Sequence, residues 1–175
     1  GDQLRIEYGD IRSFNLTRMP KPYKVVANIP YYLTSHLIQI LSESTNPPNI
    51  AVLLVQKEVA ERVCGVVGDM SILSVTTQFY WQPSLGSVVP AKLFTPPPKI
   101  DSQILILKRR ESPLFEVDHK LFFRVIKSGF SAKRKTILNS LSAGLRLDKE
   151  HIKSILDSSN ISAGKRAQEL SMDDW

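Results

Sequence analysis

The sequence predicts an α/β fold: a doubly wound sheet followed by a small all-helical domain. Short apolar or β-branched runs alternate with helical patterns through the first 110 residues, as in sheets built from strand–helix units. After Arg110 the apolar period becomes helical throughout. Pro113 and the Glu111-Ser112 turn mark the change, dividing the chain into 1–110 and 111–175.

Strands are expected at Leu4–Tyr8, Lys24–Ala27, Ile50–Val55, Gly86–Val89 and Gln103–Lys108, each apolar or β-branched enough to be buried. Between them, Thr34 is read as the cap of a helix with Leu37, Ile38 and Leu41 on one face, stopped by Asn46-Pro47-Pro48. Lys57 to Val63 and Ser71 to Tyr80 read as two further helices, joined by a turn at Gly65 to Asp69. In the second part three helical faces follow. They carry Leu121, Phe122, Val125 and Ile126, then Ile137, Leu138, Leu141 and Leu145, then Ile152, Ile155 and Leu156. Asp148 is placed to cap the third, with His151 in its first turn.

The content of 42% hydrophobic and 23% charged residues is that of an ordinary globular protein. No apolar stretch approaches the roughly 20 residues of a membrane span. The single cysteine, Cys64, excludes an internal disulfide and reads as a small buried hydrophobe. Nearly all of the net charge of +6 lies beyond residue 107, so a polyanion would be drawn to that end. His36, His119 and His151 are far apart, and none pairs with Cys64 or carboxylates at ligand spacing, so no metal site is expected.

Two segments carry chemistry. Val25-Val26-Ala27-Asn28-Ile29-Pro30-Tyr31-Tyr32 runs a short strand into Asn-Ile-Pro-Tyr. A strand ending at Asn28 leaves the carboxamide at the sheet's carboxyl edge, where open α/β folds bind ligands. Pro30 stiffens the turn. The Asn28 oxygen and a turned carbonyl can accept the two hydrogens of an exocyclic amine, while Tyr31 offers a stacking face. Asn-x-Pro is also an ordinary turn signal, and a neighbouring Tyr can simply cover a core. The second segment is Phe94-Thr95-Pro96-Pro97-Pro98-Lys99-Ile100-Asp101-Ser102. Its prolines exclude helix and central strand and make a rigid loop, which either presents Phe94 or tucks it into the core.

Together these segments resemble the ribosomal RNA adenine dimethyltransferases. The likeness continues in order through Gln56-Lys57-Glu58-Val59-Ala60-Glu61-Arg62, Leu73-Ser74-Val75-Thr76-Thr77-Gln78, Arg134-Lys135-Thr136-Ile137-Leu138-Asn139-Ser140-Leu141 and Arg166-Ala167-Gln168-Glu169-Leu170-Ser171. The resemblance implies a Rossmann-like methyltransferase sheet and S-adenosylmethionine as cofactor. The implied reaction is double methylation of adenine on its exocyclic nitrogen, in small-subunit ribosomal RNA or the immature small subunit. A cytoplasmic protein, monomeric when full length, is implied as well. Members of that family carry a Gly-rich turn and an acidic residue upstream. No GxGxG-like run occurs in this sequence, which begins at Gly1-Asp2-Gln3, so a partial sheet with its first strands missing is expected. Leu4–Tyr8 would be the third strand and Asp10, in the turn after it, a contact to the cofactor's adenine.

By the same resemblance Asn28, Pro30, Tyr31 and Phe94 form the base-holding site, with Asn28 also beside the cofactor. Positioning rather than acid/base chemistry would carry the rate. Lys133, Arg134 and Lys135, expected at the start of a helix beneath Phe130, would grip RNA phosphates together with Lys127, which precedes them. Lys108, Arg109 and Arg110 form a second basic patch. DNA amino-methyltransferases use a related Asn/Asp-Pro-Pro-Tyr/Phe turn, but Ile29 replaces the first proline here. Resistance methyltransferases of large-subunit RNA are nearer; Arg134-Lys135-Thr136 and Glu169-Leu170-Ser171 favour the small-subunit type. A non-catalytic RNA-binding or ribosome-assembly module is the remaining alternative.

Overall fold

Four strands form one mixed sheet in the computed structural model, which describes residues 4–175: β1 (Lys24–Asn28), β2 (Ile50–Gln56), β3 (Trp81–Val89) and β4 (Ser102–Arg109). Their order is β1-β2-β4-β3, with β1 and β2 parallel and β4 antiparallel to both β2 and β3. Helices α1 (Thr34–Glu43), α2 (Lys57–Val63) and α3 (Ile72–Tyr80) fill the connections.

Period-two alternation explains the sheet's buried face. In β2, Ala51, Leu53 and Val55 are fully buried, and Leu105 and Leu107 of β4 lie beside them. Leu37, Ile38 and Leu41 of α1 join this row, with Val75 and Phe79 of α3 and Trp81. On the opposite face Val52 and Ile106 are half-buried and Val26 is 81% exposed. The expected strand Gly86–Val89 begins five residues earlier, at Trp81. Pro83 does not prevent this because β3 is an edge strand. Its register shifts between Leu85 and Val88, where a side chain on Gly86 would press on Ile104 at 3.0 Å.

Two expectations fail in the first part. Leu4–Tyr8 forms no regular element and pairs with no strand among the described residues, and Leu4, Ile6 and Tyr8 are exposed. Its alternation is strand-like, yet a ladder needs a partner, and β1 pairs only with β2. Thr34 is not a cap: it is the first residue of α1 and is buried. The helix grows directly from a 3₁₀ turn at Tyr31–Leu33, whose carbonyls replace a capping side chain. Leu33 N–H donates to the Pro30 carbonyl (2.9 Å) and Thr34 N–H to that of Tyr31.

Three helices follow: α4 (His119–Gly129), α5 (Ile137–Leu145) and α6 (Lys149–Ser158). Side chains cap each, Asp118 to Leu121 N–H, Thr136 to Asn139 N–H, and Asp148 to the amides of Glu150 and His151. The α4 stripe is rotated from the expected one, for Phe122 and Ile126 are buried but Leu121 is 57% exposed. The reason is aromatic packing. Phe79 draws His119, Phe122 and Phe123 towards it, with ring centroids 5.3, 4.6 and 5.8 Å away. A second core gathers Ile137, Leu141, Ile152, Leu156, Ile161 and Leu170. Phe130 stacks on Trp175 at 5.2 Å and packs against both cores.

Candidate active site

The strand registers bring the two sequence segments to one edge of the sheet. Asn28 closes β1 opposite Leu54, and Gln56 closes β2 opposite Ser102. Because β4 runs antiparallel to β2, its first residue lies at the edge where β1 and β2 end. Ser102 also pairs with Val89, so the loop of residues 90–101 leaves and returns at that edge. This is the carboxyl edge of the parallel pair, the ligand-binding end of open α/β sheets.

A hydrogen bond joins the segments directly. Tyr31 Oη and Ser102 Oγ lie 2.6 Å apart, and Ser102 is fully buried. The second segment is held by Asp101, whose Oδ1 accepts Ala91 N–H (2.9 Å) and whose carbonyl accepts Lys57 N–H (3.0 Å). Within the loop, Ala91–Leu93 is a 3₁₀ turn, Phe94 N–H donates to the Ala91 carbonyl, and the Thr95–Pro96 peptide is cis. Phe94 ends half-buried and Tyr31 likewise. Asn28 is exposed, and its carboxamide makes no hydrogen bond to protein among the described residues, so its oxygen is open to a ligand amine. Pro30 is extended (φ −53°, ψ 135°), and its carbonyl keeps one lone pair beyond the Leu33 bond.

Asp10 caps a 3₁₀ turn at Ile11–Ser13 that contacts α1. The Arg12 side chain binds both carboxylate oxygens, and Arg12 N–H donates to Oδ1 at 2.9 Å. The Arg12 hydrogen bonds lower the Asp10 pKa to about 2, so the group is an ionised acceptor at neutral pH. His36, in the first turn of α1, adds a smaller effect in the same direction.

The basic residues separate into groups. Lys108 to Arg110 lie at the opposite end of β4, roughly 20 Å from Ser102 at about 3.4 Å per residue. Lys108 is exposed, but Arg109 turns inward. Its guanidinium lies over Tyr80 (4.9 Å) and Trp81 (5.0 Å) and donates to the Ser42 carbonyl (3.1 Å), and burial lowers its pKa. Arg110 Nε donates to the Gln78 carbonyl at 3.0 Å. Lys133, Arg134 and Lys135 are exposed and stand in the turn before α5 rather than at its start, because Thr136 takes the cap.

Two adjoining hollows share Ile72 and Leu73 at the start of α3. One, of about 420 Å³, runs from Ser35 and Gln39 of α1 to Lys127. The other, of about 470 Å³, is bordered by Arg62, Phe130, Lys133 and Gln168. Arg62 was not singled out from the sequence, since a lone Arg in a helical segment has no distinguishing pattern. Ser102 was visible only as the end of the proline-rich segment. Cys64 is half-buried, and burial raises its thiol pKa. Among the described residues no cluster of three or more His, Cys, Asp or Glu side chains is placed to hold a metal, and no helix is long and apolar enough to cross a membrane.

The mixed sheet with helices in its connections is of the Rossmann-like class, and solved rRNA methyltransferases superpose on it. The dimethyladenosine transferase from Plasmodium falciparum superposes with a TM-score of 0.80 at 28% identity, covering 99% of this chain and 70% of that one. The 23S rRNA methyltransferase ErmE gives 0.69 at 26% identity, covering 95% and 66%. The chain belongs to the ribosomal RNA adenine dimethylase family, whose model matches residues 2–175. Ribosomal RNA small subunit methyltransferase A from Dehalococcoides mccartyi (strain CBDB1) is 42% identical over 155 residues, 88% of this chain and 53% of that protein. The protein of the same name from Lactococcus lactis subsp. lactis (strain IL1403) is 39% identical over 179 residues, 99% and 60%. The chain thus spans little more than half the length of these relatives.

Proposed function

We propose that this chain supplies the base-holding and RNA-facing parts of an S-adenosylmethionine-dependent enzyme that dimethylates adenine amines in small-subunit ribosomal RNA. The observation that carries this reading is the meeting of Asn28-Ile29-Pro30-Tyr31 with the Phe94–Ser102 loop at one sheet edge, joined by the Tyr31–Ser102 hydrogen bond.

The amine of adenine is a poor nucleophile because its lone pair is delocalised into the ring. Asn28 and the Ile29 or Pro30 carbonyl accept its hydrogens and so orient the lone pair out of the ring plane. Tyr31 and Phe94 hold the base by stacking, worth about 1–3 kcal/mol per base. Most of the acceleration comes from this placement. Released protons pass to water, which needs no dedicated base. Asp10, held ionised by Arg12 on the turn that contacts α1, is an acceptor whose chemistry fits the adenine amine of S-adenosylmethionine, and Asn28 is assigned beside the cofactor. When bound, that cofactor supplies an electrophilic methyl group.

Lys127, Lys133, Arg134 and Lys135 engage RNA phosphates, and Arg62 extends their reach along the hollows that begin at Ser35. Lys108, Arg109 and Arg110 stand apart from them, and the inward guanidinium contacts leave Lys108 the most open of the three. Residues 111–175 act as the helical RNA-binding part and 1–110 as part of the catalytic domain. The partner is small-subunit ribosomal RNA or the immature subunit, and the protein works as a cytoplasmic monomer.

Small-subunit ribosomal RNA transcribed in vitro and immature small subunits, each incubated with the full protein carrying these residues and S-adenosylmethionine, should between them yield N6,N6-dimethyladenosine on digestion and mass spectrometry. Product confined to large-subunit RNA, or none, would overturn the reading.

A further inference from the structure

Resting on that function, we propose that Ser102 is a positioning residue: it fixes the angle of the Tyr31 ring and thereby sets how efficiently the already methylated amine receives its second methyl group.

The Tyr31 ring is tied at both ends. Its backbone starts the 3₁₀ turn that runs into α1, after a proline with restricted φ. Its hydroxyl meets Ser102 at 2.6 Å. The post it meets is rigid. Ser102 opens β4, the strand flanked on both sides, and pairs with Gln56 and with Val89. It is fully buried, and the preceding Asp101 is bound to Ala91 and to the start of α2. Without the hydroxyl contact, a half-buried tyrosine keeps its stacking face but gains rotation about both side-chain torsions.

Such freedom matters unequally to the two transfers. Unmethylated adenine offers two amine hydrogens to the acceptors at Asn28 and the turn carbonyl. The monomethylated amine offers one, so its orientation depends more on the ring against which the base lies. Loosening Tyr31 should therefore slow the second transfer more than the first, while RNA affinity, set largely by phosphate contacts, stays the same.

The test compares Tyr31→Phe, Ser102→Ala, the double variant and Ser102→Thr in the full protein. With transcribed small-subunit RNA, the ratio of mono- to dimethyladenosine is followed over time. The second transfer is expected to slow roughly three- to tenfold in Tyr31→Phe and Ser102→Ala alike, the size of one neutral hydrogen bond. The double variant should be no worse than either, and Ser102→Thr, which keeps a hydroxyl, should recover the ratio if its melting temperature is preserved. Tyr31→Phe leaves the buried Ser102 in place and decides the matter if Ser102→Ala does not fold. An unchanged ratio in Tyr31→Phe, beside an active unsubstituted protein, would overturn the positioning role alone. No methylated adenosine from the unsubstituted protein, on this RNA or on immature small subunits, would overturn the function and this role with it.

Discussion

Replacing Arg109 by alanine should destabilise the fold and leave RNA binding nearly untouched. The guanidinium lies over two aromatic rings, Tyr80 at 4.9 Å and Trp81 at 5.0 Å, and donates to the Ser42 carbonyl at 3.1 Å. Ser42 is itself a junction, for its hydroxyl accepts the Trp81 indole N–H (2.8 Å) and donates to the Ile38 carbonyl (2.6 Å). A hydrogen bond involving a charged group contributes about 1.5–3 kcal/mol. Each cation–π contact adds about 0.5–1 kcal/mol, and more when desolvated. These overlap, and Arg109 keeps some water, so the combined loss should be about 2–4 kcal/mol. For a chain of this length that corresponds to a fall in melting temperature of roughly 5–15 °C. Arg109→Lys should recover only part of it, since an ammonium keeps the charge without the planar stack. Thermal melts by circular dichroism measure the stability, and RNA affinity is read in parallel below the melting range. The reasoning is refuted if Arg109→Ala melts within about 1 °C of the parent while RNA binding weakens as much as it does on neutralising the Lys133–Lys135 turn.

Neutralising Lys133, Arg134 and Lys135 together should weaken RNA binding and lower its salt slope by about 2–3, at roughly 0.7–0.9 for each phosphate no longer neutralised; an unchanged slope would remove the turn from the RNA surface. Gly144→Ala should cost about 1–3 kcal/mol in a denaturant titration, because the new Cβ would stand 2.5 Å from Ser128 Cβ and 2.8 Å from its Cα. Ser128→Gly in the same protein should restore part of that loss. The Asp10 carboxyl should titrate near 2 by carbon NMR, and Arg12→Ala should bring its midpoint back towards 3.8. Since its folded value is depressed, the contribution of Asp10 to stability is present above the ordinary carboxylate range and is lost as pH falls from about 4 towards 2.

The α/β character and most helices were legible because they rest on local patterns. Asp148 caps α6, and Lys57–Val63 is a helix, as periodicity and capping chemistry require. Thr34 misled because a 3₁₀ turn can satisfy a helix's first amides as well as a side chain does. Leu4–Tyr8 has the alternation of a strand, but pairing is a property of neighbours and not of the segment. The two chemical segments were recognisable one by one. Their meeting was not, since Tyr31 and Ser102 lie 71 residues apart and only the antiparallel register of β4 brings them together. Among the basic residues, sequence gives Lys108 and Arg109 the same weight, whereas alternation along β4 exposes one and turns the other onto Tyr80 and Trp81. Arg62 and Lys133 share a hollow only because the turn after α4 folds back over the start of α3.

The most direct test of the central claim, that the Asn28 turn orients a target adenine, is the Asn28→Ala variant of the full protein. Methyl transfer from labelled S-adenosylmethionine to transcribed small-subunit RNA is measured beside the affinity for the same RNA. Loss of transfer by about a hundredfold or more, equivalent to roughly 2.7 kcal/mol of transition-state stabilisation, with affinity within a factor of two, is the predicted result. Transfer that persists, or RNA affinity that falls by the same factor, would contradict the account.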